Sequence, residues 1–146
     1  MDIPADILSK MERYCAYQER SEVEVRKKLG ALAVSATMSD EVVRVLKEDD
    51  FLNEHRFAEV FIRSKVKDHW GKLKIRQGLY AKGIPAEIID EQMDLIDEDS
   101  YQMMLRETIE KWKRLNAEDA ANKPKLVRHM LSKGFSIEEI MSILNQ

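Results

Sequence analysis

Cysteine is nearly absent. Cys15 is the only one, so no disulfide can form within the chain and a packed core has to hold the fold. Glycine and proline are scarce as well, at five and three residues in 146, which leaves few of the tight-turn positions that a sheet protein uses repeatedly. No apolar run approaches the roughly 20 residues that span a bilayer. The opening residues, MDIPADILSKMERY, hold neither a basic n-region nor an apolar h-region, so no secretory signal is expected and the predicted location is the cytoplasm. The usual constellations of catalysis are missing too. There is no phosphate-cradling glycine loop and no Gly-x-Ser-x-Gly elbow, and His55, His69 and His129 form no ligand-spaced pair such as His-x-x-x-His. Cys15 has no basic or histidine partner at helical spacing to activate it. The expectation is a protein that is not an enzyme, with no catalytic residue, no cofactor and no metal.

What remains is helix-forming material. The 44% hydrophobic and 35% charged content suits an all-α protein, and a chain of this length buries roughly 68–70% of its unfolded surface. Ile7, Leu8, Met11, Tyr14 and Cys15 fall at helical spacing between Pro4 and Gln18. Ser21 stands three residues before Glu24, a capping box, and Val25, Leu29 and Leu32 continue that second helix. Ser39 is read as the start of a third helix, with Val42, Val43, Val45 and Leu46 inward. Asn53 caps a fourth that carries Phe57, Phe61, Ile62 and Val66. After Gly71 a fifth runs to Lys82 with Leu73, Ile75 and Leu79 inward, and Gly83 closes it as a left-handed C′ residue. Pro85 starts a sixth, with Ile88, Ile89, Leu95 and Ile96 inward. Tyr101, Leu105, Ile109 and Trp112 mark a seventh. Asn122 caps an eighth with Leu126, Met130 and Leu131, and Ser136 with Glu139 opens a ninth that carries Ile137, Ile140, Met141 and Leu144.

These helices repeat. KLKIRQGLYAKGIPAEII (Lys72 to Ile89) aligns without a gap on KPKLVRHMLSKGFSIEEI (Lys123 to Ile140) at an offset of 51 residues. Lysine matches lysine at 72/123, 74/125 and 82/133, and glycine matches glycine at 83/134. Val25 and Leu29 fall into a similar register, but Ala33-Val34 stands where the other copies have Gly-Ile and Gly-Phe. A period near 50 marks stacked helical units. The reading is three tandem three-helix repeats, over 1–50, 51–99 and 100–146.

Charge is segregated along the chain. Between Arg63 and Lys82 lie Arg63, Lys65, Lys67, Lys72, Lys74, Arg76 and Lys82 against Asp68 alone, in a protein of net charge −3. From Ile84 to Ser100 there are seven carboxylates and no cation. The basic stretch is either a surface for a polyanion or acidic protein, or the solvated face of a lysine-rich helix. Its recurrence as Lys123, Lys125, Arg128 and Lys133 supports a shared contact face, and Trp70 and Tyr80 beside it either stack on a partner or pack the helix corner.

RSEVEVRKKL (Arg20 to Leu29), FLNEHRFAEVFIRSK (Phe51 to Lys65), GKLKIRQGLYAKGIP (Gly71 to Pro85) and LVRHMLSKGFSIEEI (Leu126 to Ile140) occur in an order that resembles the RecX family, bacterial regulators of the recombinase RecA. Two departures stand out: the first repeat lacks the family's Arg/Lys-Gly turn, and Asp50 replaces the glycine that usually precedes the Tyr/Phe-Leu pair. The resemblance implies an elongated, curved helical array that lodges in the groove of a RecA filament, inhibits ATP hydrolysis and strand exchange, limits filament extension and has no active site. The expected partner is the RecA filament, met by a monomer, with single- or double-stranded DNA a further partner of the basic helices. The alternatives are a sequence-independent DNA-binding protein of helix-turn-helix-like repeats and a scaffold for unrelated partners. Groove-reading recognition is disfavoured because the helix that would enter the groove, Glu87 to Asp99, is acidic.

Overall fold

The computed structural model describes residues 2–146. Among them lie nine α-helices and no strand: α1 (Ala5–Tyr17), α2 (Glu22–Ala31), α3 (Ala36–Glu48), α4 (Glu54–Lys67), α5 (Lys72–Ala81), α6 (Ala86–Met93), α7 (Glu98–Leu115), α8 (Lys123–Ser132) and α9 (Ile137–Leu144), with a 3-10 turn at Ala117–Asp119. Short polar side chains start most of these helices. Ser21 and Ser136 each accept a hydrogen bond from the amide three residues on, at 3.2 and 3.0 Å, while Glu24 and Glu139 accept from the serine amides in return. Asn53, Asp97 and Asn122 cap α4, α7 and α8 in the same way with a single bond. Such a cap stabilises a helix by about 1 kcal/mol.

Helix α3 starts earlier than its sequence suggests. Ser35, not Ser39, accepts from the Met38 amide, and Ser39 is buried within the helix. Both serines are suitable caps by residue type, and the left-handed residue that closes α2 leaves room for the earlier one. That residue is Ala33, at φ 60°. Its amide donates to the Gly30 carbonyl and the next amide, of Val34, reaches back to Leu29, the paired bonds of a Schellman ending. Gly83 and Gly134, at φ 74° and 96°, end α5 and α8 with the same two bonds. The first repeat therefore keeps the turn without its glycine, and Ala33 bears the strain of a left-handed Cβ.

The apolar stripes are narrower than the sequence reading. Leu73, Leu95, Leu131 and Ile137 are exposed. Along α5 the buried line runs from Gly71, just before the helix, through Ile75 and Leu79 at steps of four, and Leu73 lies two positions off it. Leu131 stands one position beyond buried Met130, Ile137 occupies the first turn of α9, and Leu95 lies past the end of α6, where Met93 is the buried residue.

Two compact units divide the chain, one holding the residues through Val60 together with Leu79–Ile89, the other Phe61–Gly78 with Asp90–Gln146. In the first, Met11 and Cys15 of α1, Val25 and Leu29 of α2, and Val42, Val43 and Leu46 of α3 form a core with Leu52. Burial pushes the Cys15 thiol pKa up, so this side chain packs and does not react. Arg56 locks the corner after α3: its Nε donates to Glu19 at 2.6 Å, Nη1 to the Asp50 carboxylate at 3.0 Å and Nη2 to the Asp50 carbonyl at 2.9 Å. Asp50 is itself left-handed, at φ 60°. The guanidinium thus holds in place the residue that departs from glycine there.

In the second unit Tyr101, Met104, Leu105, Ile109 and Trp112 line one side of α7 and pack with Leu126, Met130, Phe135 and Ile140. Helix α5 begins on the end of α8. The amides of Gly71 and Leu73 donate to the carbonyls of Lys133 and Gly134, at 2.8 and 3.0 Å, and the Lys72 amide donates to the buried Tyr101 hydroxyl at 3.0 Å. Three of the four donors that a helix start leaves open are thereby satisfied. The approach leaves no space for side chains: a Cβ on Gly71 would lie 2.2 Å from the Gly134 carbonyl carbon, and one on Gly134 2.3 Å from Lys74 Cβ.

Gly71→Ala is expected to destabilise the protein by about 1–3 kcal/mol or more, and Ala33→Gly to stabilise it by about 1 kcal/mol. Thermal unfolding checks both, at about 2–4 °C per kcal/mol for a chain of this size. A Gly71→Ala variant that melts with the wild type would show that the helix start does not require the close approach.

Candidate functional site

The residues predicted to carry the basic face divide into four groups by what each cation meets. Lys72 Nζ pairs with Glu98 at 2.8 Å, Arg76 with Asp90 at 2.6 Å, Lys82 with Glu24 at 3.7 Å and Lys125 with Asp119 at 2.6 Å. The acidic stretch after α5 thus supplies two of the four partners, so much of the segregation read along the chain cancels in the fold. The Glu98 carboxyl lies below its usual range because Lys72 and then Gln102 donate hydrogen bonds to it.

Lys65 and Lys74 form the second group. Their ammonium groups sit 4.6 and 4.2 Å from the centroid of the Trp70 ring, with the Phe61 ring nearly perpendicular to the same indole, centroids 6.4 Å apart at 84°. Gly78 leaves room for this, since a Cβ there would lie 2.7 Å from Phe61 Cζ. A cation over an aromatic face is held in place by the ring quadrupole, yet its charge is not neutralised. Trp70 therefore acts as a corner of the packing and as a mount for two uncompensated cations.

The third group faces water. Lys67, Lys123 and Arg128 are exposed and have no ion-pair partner among the described residues. Arg63 is exposed on α4.

Lys133 stands alone, half-buried in the turn after α8. Burial holds its ammonium pKa below the usual lysine range, and Lys74 and Lys111 beside it push the same way, against Asp68. Lys111, on α7, was missed by the sequence reading, which followed only the apolar side of that helix. The docking of α5 on α8 explains the convergence, since it sets Lys74 against Gly134. A pocket of about 280 Å3 opens among Asp68, His69, Lys111, Trp112, His129 and Lys133. His69 is fixed there at 2.8 Å from Thr108. The single Thr108 hydroxyl proton goes to the Met104 carbonyl at 2.7 Å, so His69 Nδ1–H is the donor. Burial and then Lys133 lower the His129 pKa. No group of three or more His, Cys, Asp or Glu among the described residues is placed to hold a metal ion. No helix among them is long and apolar enough to cross a membrane.

Residues 53–93 match the family model for the second three-helix domain of RecX. The regulatory protein RecX of Mannheimia succiniciproducens is 31% identical over 129 residues, which cover 87% of this chain and 84% of the relative. The chain belongs to the RecX family. The RecX proteins of Clostridium tetani and Clostridium acetobutylicum are 33% and 29% identical over 87% of the chain, which spans about three fifths of their length, 60% and 62%. The crystal structure of RecX from Lactobacillus salivarius superposes with a TM-score of 0.82 at 26% identity, covering 97% of both chains. A second RecX crystal structure gives 0.87 at 23% identity over 97% of this chain and 73% of its own, a likeness of fold. Both place the all-α architecture within RecX.

Tyr101 couples the site to stability. Its phenol is buried and its pKa is raised, chiefly by burial. The folded state keeps the proton that the unfolded chain gives up near pH 10, so the contribution is full below about pH 10 and is lost as the pH rises further. Tyr101→Phe leaves the Lys72 amide without its acceptor. It should cost about 1–3 kcal/mol at neutral pH and flatten the alkaline loss of stability in urea denaturation measured from pH 8 to 12.

Proposed function

We propose that this RecX protein regulates RecA without catalysis, by docking on the RecA–DNA filament through the basic face of α5, α8 and the neighbouring part of α7, and thereby inhibits ATP hydrolysis, strand exchange and filament extension. The observation that carries the proposal is a cluster of cations that the fold brings together: Lys111 and Lys133 line one pocket with Asp68, and Lys74 is set against Gly134 beside Lys133. Like charges held this close cost stability unless a partner uses them. Around them Lys65, Lys67, Lys123 and Arg128 extend the contact, whereas Lys72, Arg76, Lys82 and Lys125, already engaged by carboxylates, contribute less net charge. The chain acts as a cytoplasmic monomer built of three units, over 1–50, 51–99 and 100–146. Family membership and the naming of its relatives as regulatory proteins support this reading.

Lys74→Glu/Lys111→Glu, both in side chains outside any ion pair, is expected to raise the concentration that inhibits RecA's DNA-dependent ATPase by at least about tenfold, or about 1.4 kcal/mol. The helical circular dichroism should stay unchanged. Full inhibition by the folded double variant would remove this face from the contact.

A further inference from the structure

Lys133 combines a fixed backbone with a partly enclosed side chain. Its amide donates to the His129 and Met130 carbonyls at 3.2 and 3.1 Å, and its carbonyl accepts from the Gly71 amide at 2.8 Å, so α8 and the start of α5 both pin the residue. The side chain is half-buried and has no ion-pair partner among the described residues. It lines the pocket of about 280 Å3 together with Asp68, His69, Lys111, Trp112 and His129. Burial, with Lys74 and then Lys111 acting the same way, holds its ammonium below the usual lysine range. Near neutral pH more of this side chain is therefore free amine than at a lysine's ordinary value.

A free lysine amine is a nucleophile, and acyl carbons are among the centres it attacks. The rest of the pocket fits the other half of such a reaction. Lys111 is exposed and in no ion pair among the described residues, which leaves its charge available to an anionic leaving group. Phosphate is the leaving group that suits it, compact and multiply charged. The rings of Trp112 and His129, with centroids 6.3 Å apart, give the pocket a wall for a short acyl chain. At about 280 Å3 the space suits a ligand smaller than a nucleotide.

We propose that Lys133 is a modification site, acylated directly by small acyl phosphates whose phosphate is held by Lys111. With acetyl phosphate, the Nζ lone pair attacks the carbonyl carbon and forms a C–N bond. The C–O bond to phosphate breaks, and the phosphate leaves with that electron pair and takes a proton from the nitrogen, giving acetyl-lysine and hydrogen phosphate. The product is neutral, so one cation is lost from the basic face. Its effect on filament inhibition rests on the docking reading; the acylation does not.

The test is mass spectrometry of the full chain incubated with acetyl phosphate near neutral pH, without RecA, following the rate of acetylation at each lysine. Lys133 should react at least about tenfold faster than the exposed Lys67 and Lys123, the gain of a reagent held beside its nucleophile. Lys111→Gln should remove most of that advantage. With the uncharged donor N-acetoxysuccinimide, which has no phosphate for Lys111 to hold, the same variant should lose much less. Asp68→Asn removes the carboxylate that favours the ammonium form of Lys133 and should speed its acetylation. Both substitutions alter exposed side chains, and circular dichroism checks that each variant is folded. The proposal is overturned if Lys133 reacts no faster than Lys67 and Lys123, if Lys111→Gln slows both donors equally, or if Asp68→Asn slows the reaction.

Discussion

The second unit depends on one contact, the start of α5 seated on the end of α8. A helix start presents open N–H donors and a helix end presents open carbonyls, so the two can satisfy each other if the backbones come close enough. Here Gly71 and Gly134 make that possible, because a Cβ on either would overlap the other segment. The Tyr101 hydroxyl takes the donor between the two direct bonds. Removing either glycine forces donors and acceptors apart, so the cost of unmatched buried polar groups adds to that of the steric overlap.

That contact also decides the electrostatics. With α5 anchored on the turn after α8, Lys72 reaches Glu98 and its side chain lies across the Tyr101 ring at 4.5 Å, while Lys74 is driven toward Lys133. One lysine is neutralised, and another, two positions on, keeps its charge beside a further cation. The same alternation follows along α5, where Arg76 meets Asp90. Proximity in sequence says little about which cations remain available, since the carboxylates that cancel them arrive from other helices.

Much of the fold was legible from residue patterns. The capping boxes at Ser21 and Ser136, the left-handed Gly83 and the core positions of α7 all follow from spacing and residue type, and the family follows from the resemblance of its motifs. The start of α3 did not, because Ser35 and Ser39 are equally good caps, and only the left-handed Ala33 upstream selects between them. Leu73 and Leu95 are exposed where the sequence turns them inward, because an apolar residue near a stripe looks like part of it, while the buried line of α5 keeps steps of four and Leu95 lies past the end of α6. The candidate site was less legible still. A charge count along the chain marked the basic stretch, but the pairing of Lys72 and Arg76 with later carboxylates and the arrival of Lys111 depend on tertiary packing that no local pattern encodes.

The distinction between an ion pair and a cation–π contact then sets how the basic face is weighed. Glu98 and Asp90 bring opposite charge to Lys72 and Arg76, and at a distance these pairs nearly vanish. Trp70 brings none to Lys65 and Lys74: its ring orders the two side chains and lowers the entropy they would lose on meeting an anion, while their full charge still projects into solvent. A protein of net negative charge can in this way present a preorganised positive surface. The tryptophan beside the helix corner serves the packing and the charge together, because Phe61 packs against it nearly at right angles while Lys65 and Lys74 sit over its ring.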